Sequence, residues 1–342
     1  MTAIPEKQNT IASLIDQYHE SKQEPPRPHM GASQLGHPCD RWLWLSFRWA
    51  VQEKFPGRIL RLFRRGHMEE DQIVSDLRAI GVDIRNTTSS QARVSFGSHV
   101  SGSLDGVIES GVPEAPSKRH IAEFKTHSKK SFDALCKDGL EKSKPVHWVQ
   151  CHVYMYGMEI DRCLYVAVCK DDDRLYTERV KLDKETARKY IKRGKRIAQQ
   201  DRIPEPISSD PSWYQCKFCP AHSFCHDEQP TQHANCRTCA NSTALESSEW
   251  HCARWDSSPI PVDFQHIGCD DHVLHPDLVP WQQMDSDADW VGVYKVHGQT
   301  VRNGNCEGCY KSSELVSNLD ACLSGDETIE AIRREFGAKI SG

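Results

Sequence analysis

The stretch that most constrains the chain is Gly102 to Thr126, which reads GSLDGVIES, then GVPEAPSKRH, then IAEFKT. Two short runs with alternating apolar and polar residues flank an interval broken by Gly111, Pro113 and Pro116, a pattern that predicts two strands joined by a loop. Side chains two apart on a strand share a face, so Glu123 and Lys125 project together, beside Asp105 on the first strand. Two carboxylates and an amine that converge make a hard-oxygen site for Mg2+ or Mn2+. Such an ion lowers the pKa of a bound water and neutralises charge on a phosphoryl oxygen, while the lysine holds or helps to deprotonate the water. An ordinary strand pair with solvated charges carries the same short signature.

The rest of the chain sets the context. At 342 residues it is long enough for one large core or two domains, and 27% charged with 38% hydrophobic residues describes a soluble protein. The opening MTAIPEKQNTIASLIDQYHESK interrupts every apolar run with polar residues and does not read as a signal peptide, so a cytoplasmic location is expected. A net charge of -5 does not by itself mark a nucleic-acid binder. The cations are nevertheless clustered, at Arg58, Arg61, Arg64 and Arg65 and again at Arg188, Lys189, Lys192, Arg193, Lys195 and Arg196. Each cluster suits either a phosphate backbone or a solvated helix face.

Helical spacing is expected over residues 8 to 20, followed by a PPRPH linker. A second helix begins at Pro38, with Cys39 at its head, and a third runs from about Pro56 to Ile80 and stops at Gly81. In that third helix His67 and Glu70 share a face. Residues 82 to 100 alternate as strands. The segment KPVHWVQCHVYMYGM is expected to be a helix with Gln150 and Tyr154 four apart on one face, and RCLYVAVCK a strand. A basic helix over Val180 to Gln200 is expected, capped by Asp183.

Fifteen cysteines without a secretory signal point to metal ligation rather than disulfides. Cys216, Cys219 and Cys225 follow a C-x2-C-x5-C spacing, with Trp213, Tyr214, Phe218 and Phe224 around them to exclude water. Three thiolates need a fourth, and Cys39 is the candidate; spacing alone does not separate an iron-sulfur cluster from zinc. Cys236 and Cys239, with Cys252 and Cys269, form a structural Zn2+ pattern, with His272 or His266 as substitutes. Cys306 and Cys309 are read as two free thiols in a loop. Cys136, Cys151, Cys163, Cys169 and Cys322 are read as buried small hydrophobes.

Taken in order, these elements resemble the PD-(D/E)xK nuclease superfamily, with Asp105, Glu123 and Lys125 as its D, E and K. His67 and Glu70 are similar to the G-H…E element of the RecB-like branch, and Gln150-x3-Tyr154 to its Q-x3-Y motif. The distribution of Cys39 with Cys216, Cys219 and Cys225 resembles that of the iron-staple nucleases, the AddB type and the CRISPR-adaptation relatives, where four such ligands hold a [4Fe-4S] cluster. Leu104 stands where the superfamily name has proline. The resemblance covers about residues 31 to 226.

It implies an α/β (α+β) fold: a central mixed sheet flanked by helices over 31–226, preceded by a helix and linker over 1–30. Residues 230–342 would form a cysteine-rich, zinc-ribbon-like C-terminal region. The implied activity is that of a metal-dependent DNA exonuclease in recombination, repair or phage DNA processing. Asp105, Glu123 and His67 or Glu70 would hold Mg2+ or Mn2+, with Gln150 and Tyr154 supporting the strand and Lys118, Arg119, Lys129 and Lys130 flanking it. A single-strand annealing protein is the implied partner. A structure- or sequence-specific endonuclease, a non-catalytic scaffold at DNA ends and a zinc-dependent adaptor are the alternatives.

Overall fold

The computed structural model describes residues 10–286 and 288–341. The chain opens with α1 (Ile11–Glu20), β1 (Met30–Gly31), α2 (Asp40–Phe47) and the long α3 (Gly57–Ala79). The strands β2 (Asp83–Arg85), β3 (Arg93–Gly97), β4 (Val100–Ser103), β5 (Gly106–Ser110) and β6 (His120–His127) follow. Next come α4 (Lys129–Ser143), α5 (Pro145–Gly157), β7 (Arg162–Cys169), β8 (Leu175–Lys181) and α6 (Lys184–Gln199).

The central sheet has the order β2-β5-β6-β7-β8, parallel only between β6 and β7. A parallel pair needs a crossover, which α4 and α5 supply. Because helices cover both faces, β7 reads as a near-continuous apolar run, whereas β6 carries polar side chains that gather at the candidate site. Ala122, Phe124, Leu164, Val166 and Val168 pack with Ile73 and Val74 of α3. Ile121, Cys163, Tyr165 and Ala167 pack on the opposite side with Phe132, Leu135, Val149 and Val153 of α4 and α5.

The first motif run is not one strand. β4 pairs with β1 and β3 in a separate three-stranded sheet, whereas β5 joins the central one, so the chain changes sheets at Leu104 and Asp105. Glycines flank the change for steric reasons. A Cβ on Gly102 would lie 2.6 Å from the Tyr154 hydroxyl, and one on Gly106 would lie 2.9 Å from Ile84 Cδ1. The basic helix also starts later than its charge pattern suggests: Leu175–Lys181 is a strand, and Asp183 caps α6 by accepting from the Glu185 and Thr186 amides.

Beyond it lie α7 (His222–His226), β9 (Ser242–Ala244), β10 (Trp250–Cys252), α8 (Val262–Ile267), β11 (Gln282–Met284), β12 (Gly292–Val296) and β13 (Gln299–Asn303). Three short helices close the chain, α9 (Ser312–Ser317), α10 (Leu319–Leu323) and α11 (Glu327–Phe336), where one or two were expected. β11-β12-β13 form a sheet whose core includes Leu274, Trp281, Tyr294 and Leu315. This C-terminal region is plugged into the first part of the chain by Arg237, whose guanidinium sits 3.7 Å from the Trp49 ring centroid. It donates to the Phe47 and Pro28 carbonyls at 2.9 and 2.8 Å and to Gln265 Oε1 at 2.9 Å. Thr231 Oγ1 donates to the Ala50 carbonyl beside it.

Among the described residues no helix is long and apolar enough to cross a membrane. Cys151, Cys163, Cys169 and Cys322 are buried as expected, whereas Cys136 is exposed. Cys306 and Cys309, expected as free thiols, are joined in a disulfide with Cα atoms 5.2 Å apart, brought together by a turn through Gly304 and Gly308.

Candidate active site

The β5–β6 ladder ends at the pair Gly106↔Ala122. The Phe124 amide, two residues beyond, is satisfied by a side chain: Asp105 Oδ2 accepts from it at 2.8 Å. The change of sheets therefore delivers Asp105 to the peptide that links Glu123 and Lys125. Lys125 Nζ donates to the Phe124 carbonyl at 2.9 Å, lies against the Glu123 carboxylate and stands 3.7 Å from Asp105 Oδ2.

Glu123 is 0% exposed, and neither of its oxygens accepts a hydrogen bond of proper geometry, in spite of the adjacent ammonium. Burial pushes its carboxyl pKa up, opposed by Lys125 and reinforced by Asp105. Burial works against the charge on Lys125, but Glu123 and Asp105 together outweigh it and raise the pKa. The ammonium is thus the fixed charge of the pair.

Of the two α3 candidates, Glu70 faces the group. Its pKa is raised by burial and then by the Asp105 carboxylate. His67 is the more open of the two, its side chain 78% exposed, and it lines the same cleft with its Nδ1 3.8 Å from Glu70 Oε2. On α5 both Gln150 and Tyr154 are buried, and the Tyr154 hydroxyl packs at Gly102, three residues before Asp105.

Three further side chains belong to this group and were not singled out from the sequence. His127 follows Lys125 by two and shares its face of β6. Its Nε2 is 3.0 Å from the Tyr165 hydroxyl, which also lies 2.9 Å from Nδ1 of His147 on α5. Tyr165 is the residue opposite Glu123 on β7. Burial holds His127 at about 4, with Lys144 and Lys125 adding to the effect, so its ring is neutral near pH 7. The signal was present as E-x-K-x-H on one strand and as a histidine one turn ahead of Gln150.

Lys125 and Glu70 line a cleft of about 1630 Å³ between α3, the linker before β1 and the loop after α2. That volume exceeds the roughly 300–1,000 Å³ of a small-molecule pocket. Besides Lys125 its cations are Lys22, Arg27 and Lys54, interspersed with Glu20, Glu24, Glu53 and Glu69, and Phe55 and Phe63 meet edge to face in its wall at 5.0 Å. Lys118, Arg119, Lys129 and Lys130, expected to flank the site, do not line it. Arg119 is paired with Glu109 and Lys129 with Asp172 instead.

The tertiary structure gathers each cysteine set. Cys216, Cys219 and Cys225 have pKa values raised first by burial and also by Cys39, which caps α2 with its Sγ. Cys236, Cys239 and Cys269 are likewise raised by burial and by one another's charge, with Cys252 among the neighbours of Cys236 and Cys269. Among the described residues, however, no three His, Cys, Asp or Glu side chains stand in a ready coordinating arrangement. Trp213, Tyr214 and Phe218 do not cover the first set: they are 43%, 67% and 83% exposed. His272 and His266 are otherwise engaged, His272 between Ser312, Thr238 and the Asn235 carbonyl, and His266 stacked on Trp49 at 3.9 Å.

No family model and no curated protein matches the sequence. Among solved structures, the chain is similar to SSO0001, at 14% identity over 64% of this chain and 97% of that one, with a TM-score of 0.38. It is also similar to LHK-Exo from Laribacter hongkongensis, in its complex with dAMP, at 14% identity over 50% and 86% with a TM-score of 0.36. A phage-related exonuclease from Haemophilus somnus 129PT matches at 20% identity over 40% and 68%, with a TM-score of 0.31.

Proposed function

We propose that the chain hydrolyses phosphodiester bonds of DNA with Mg2+ or Mn2+, acting at strand ends as an exonuclease. The observation that carries this reading is the buried Glu123 carboxylate, ion-paired with Lys125 at Oε1 and unpartnered at Oε2, beside Asp105 and Glu70, with Lys125 reaching the cleft above it. A buried carboxylate oxygen without a donor is costly unless a cation satisfies it, so these carboxylates suit a hard divalent ion, which would have to draw the three together. Asp105, Glu123 and Glu70 would hold that ion, which when bound supplies a water of lowered pKa and neutralises charge on the phosphate.

The remaining roles belong to the chain itself. Lys125, anchored by the Phe124 carbonyl, keeps its charge and can hold the attacking water by a hydrogen bond. Asp105 fixes the peptide between the other two members and so sets their spacing. Tyr154 packs from α5 on β4 at Gly102, next to the change of sheets that carries Asp105, and the buried Gln150 stands one turn before it on the same helix. The cleft admits a strand. For the cysteines, Cys39 with Cys216, Cys219 and Cys225 would hold a [4Fe-4S] cluster, and Cys236, Cys239, Cys252 and Cys269 a Zn2+, both as structural clips.

The deciding experiment is digestion of end-labelled linear DNA and of closed circles by anaerobically purified protein with Mg2+ or Mn2+, beside Glu123→Gln and Lys125→Ala. Release of nucleotides from linear DNA by the wild type alone is the expected result. Cutting of circles would move the reading to an endonuclease. DNA bound but left whole by all three proteins would replace it with an end-binding scaffold.

A further inference from the structure

α6 is amphipathic in an unusual way. Ala187, Ile191, Gly194, Ile197 and Ala198 are buried, and a Cβ on Gly194 would lie 2.5 Å from Leu35 and 3.6 Å from Met30 Sδ. The opposite arc is almost wholly cationic. Arg193 and Arg196 spend their charge on Asp40, each at 2.5 Å, and Arg188 reaches the Tyr156 hydroxyl. Lys184, Lys189, Lys192 and Lys195 have no carboxylate partner among the described residues. The one acid of the helix, Glu185, sits in the first turn, where it complements the helix dipole.

We propose that this face of α6 binds the phosphate backbone of duplex DNA outside the catalytic cleft, holding the substrate while one end is worked on. The inference rests on the reading of DNA as the substrate. From Lys184 to Lys195 the helix rises roughly 16 Å at 1.5 Å per residue. A duplex presents about one phosphate charge per 1.7 Å of its axis, so four lysines over that length meet a dense row of acceptors. Unpaired lysines on an otherwise acidic protein repel one another, and phosphates would relieve that repulsion. The helix adjoins the cleft on its buried side, where Met30 packs on Gly194 and also lines the cleft. An anionic membrane is the less suitable surface, because a helix that lies in a bilayer needs a free apolar side and that of α6 is already buried in the protein.

The test uses the full chain carrying Glu123→Gln, so that bound DNA is not cut. Binding of a fluorescent duplex of about 30 bp is measured against salt. Lys184→Gln/Lys189→Gln/Lys192→Gln/Lys195→Gln is compared with the parent and with the milder pair Lys189→Gln/Lys192→Gln. Each lost contact should reduce the slope of log K against log salt by about 0.9, giving a fall of about 3 to 4 for the quadruple variant and about 2 for the pair. Cleavage of a dinucleotide, which offers no phosphate beyond the reacting one, should be unchanged when the same substitutions are made with Glu123 intact.

An unchanged slope in either folded variant overturns the proposal, as does loss of binding to phosphatidylserine vesicles with duplex binding intact. Should the quadruple variant fail to fold, the pair decides. If the chain with Glu123 intact cuts no DNA while the slope falls, the nuclease reading fails and this surface stands. If it cuts and the slope is constant, this surface alone fails.

Discussion

Glu123 concentrates the chemistry of the site in one side chain, buried and without a proper hydrogen bond. Glu123→Gln keeps its shape and removes the charge, so metal-dependent cleavage should fall by ~10³-fold or more, as expected from several kcal/mol of lost charge stabilisation. Steady-state rates on labelled DNA give the answer; a loss of tenfold or less would remove Glu123 from the metal site. Tyr165→Phe probes a subtler contribution. Its hydroxyl joins His127 on β6 to His147 on α5, and removing it leaves both rings without that partner. We expect kcat to drop about 10-fold with KM nearly constant, a magnitude typical of groups that orient ligands from behind. Asp105, Glu123 and Lys125 were legible from residue type and spacing. The difference between Glu70 and His67 was not, because both lie on the same arc of α3 and only the packing of the helix leaves the first half-buried and the second open.

Among the elements, α3 and α5 deliver the groups that meet the motif strands. Gly66 lies inside α3, and a Cβ there would meet only Thr126 Oγ1, at 4.0 Å, so an alanine has room. Gly66→Ala should stabilise the protein by about 0.5–1 kcal/mol through helix propensity, read from the urea midpoint. Gly102→Ala should do the reverse, since its methyl would collide with the Tyr154 hydroxyl and with Ala32 at 3.0 Å. A loss of ~1–3 kcal/mol with reduced cleavage is expected, and an active, fully stable variant would show that Tyr154 does not pack on β4 at Gly102. The helices were legible because their periodicity is long. The break between β4 and β5 was not, because five alternating residues look alike whether one strand crosses one sheet or two strands serve two sheets.

For the molecule as a whole, acid is the weak direction. Burial lowers His99, His127, His272 and His275 to about 4 and His147 to about 3, against roughly 6.5 in an unfolded chain. Groups with depressed folded values contribute stability that is present above pH 6.5 and is lost as pH falls toward 4, because the unfolded chain takes up the protons first. The urea midpoint should therefore decline between pH 6.5 and 4, the five rings outweighing the opposite contribution of the raised Glu123; a midpoint independent of pH over that window would contradict the burial of these rings. Arg237→Ala should be costly throughout, since it leaves the Phe47 and Pro28 carbonyls and Gln265 without donors and empties the space over Trp49. A loss of at least ~2 kcal/mol is expected by the same measurement.

The order of residues alone singled out Asp105, Glu123 and Lys125 as candidates and located the longer helices α3 and α5, since both readings rest on residue type and on spacing over a few residues. Tertiary structure decided what neighbours far along the chain impose: Asp105 reaching the Phe124 amide, Tyr165 bridging two histidines, Cys39 meeting residues 216–225, and Arg237 seated on Trp49. Those contacts depend on how sheets and helices stack, and stacking is set by the shape of every facing side chain at once rather than by any local pattern.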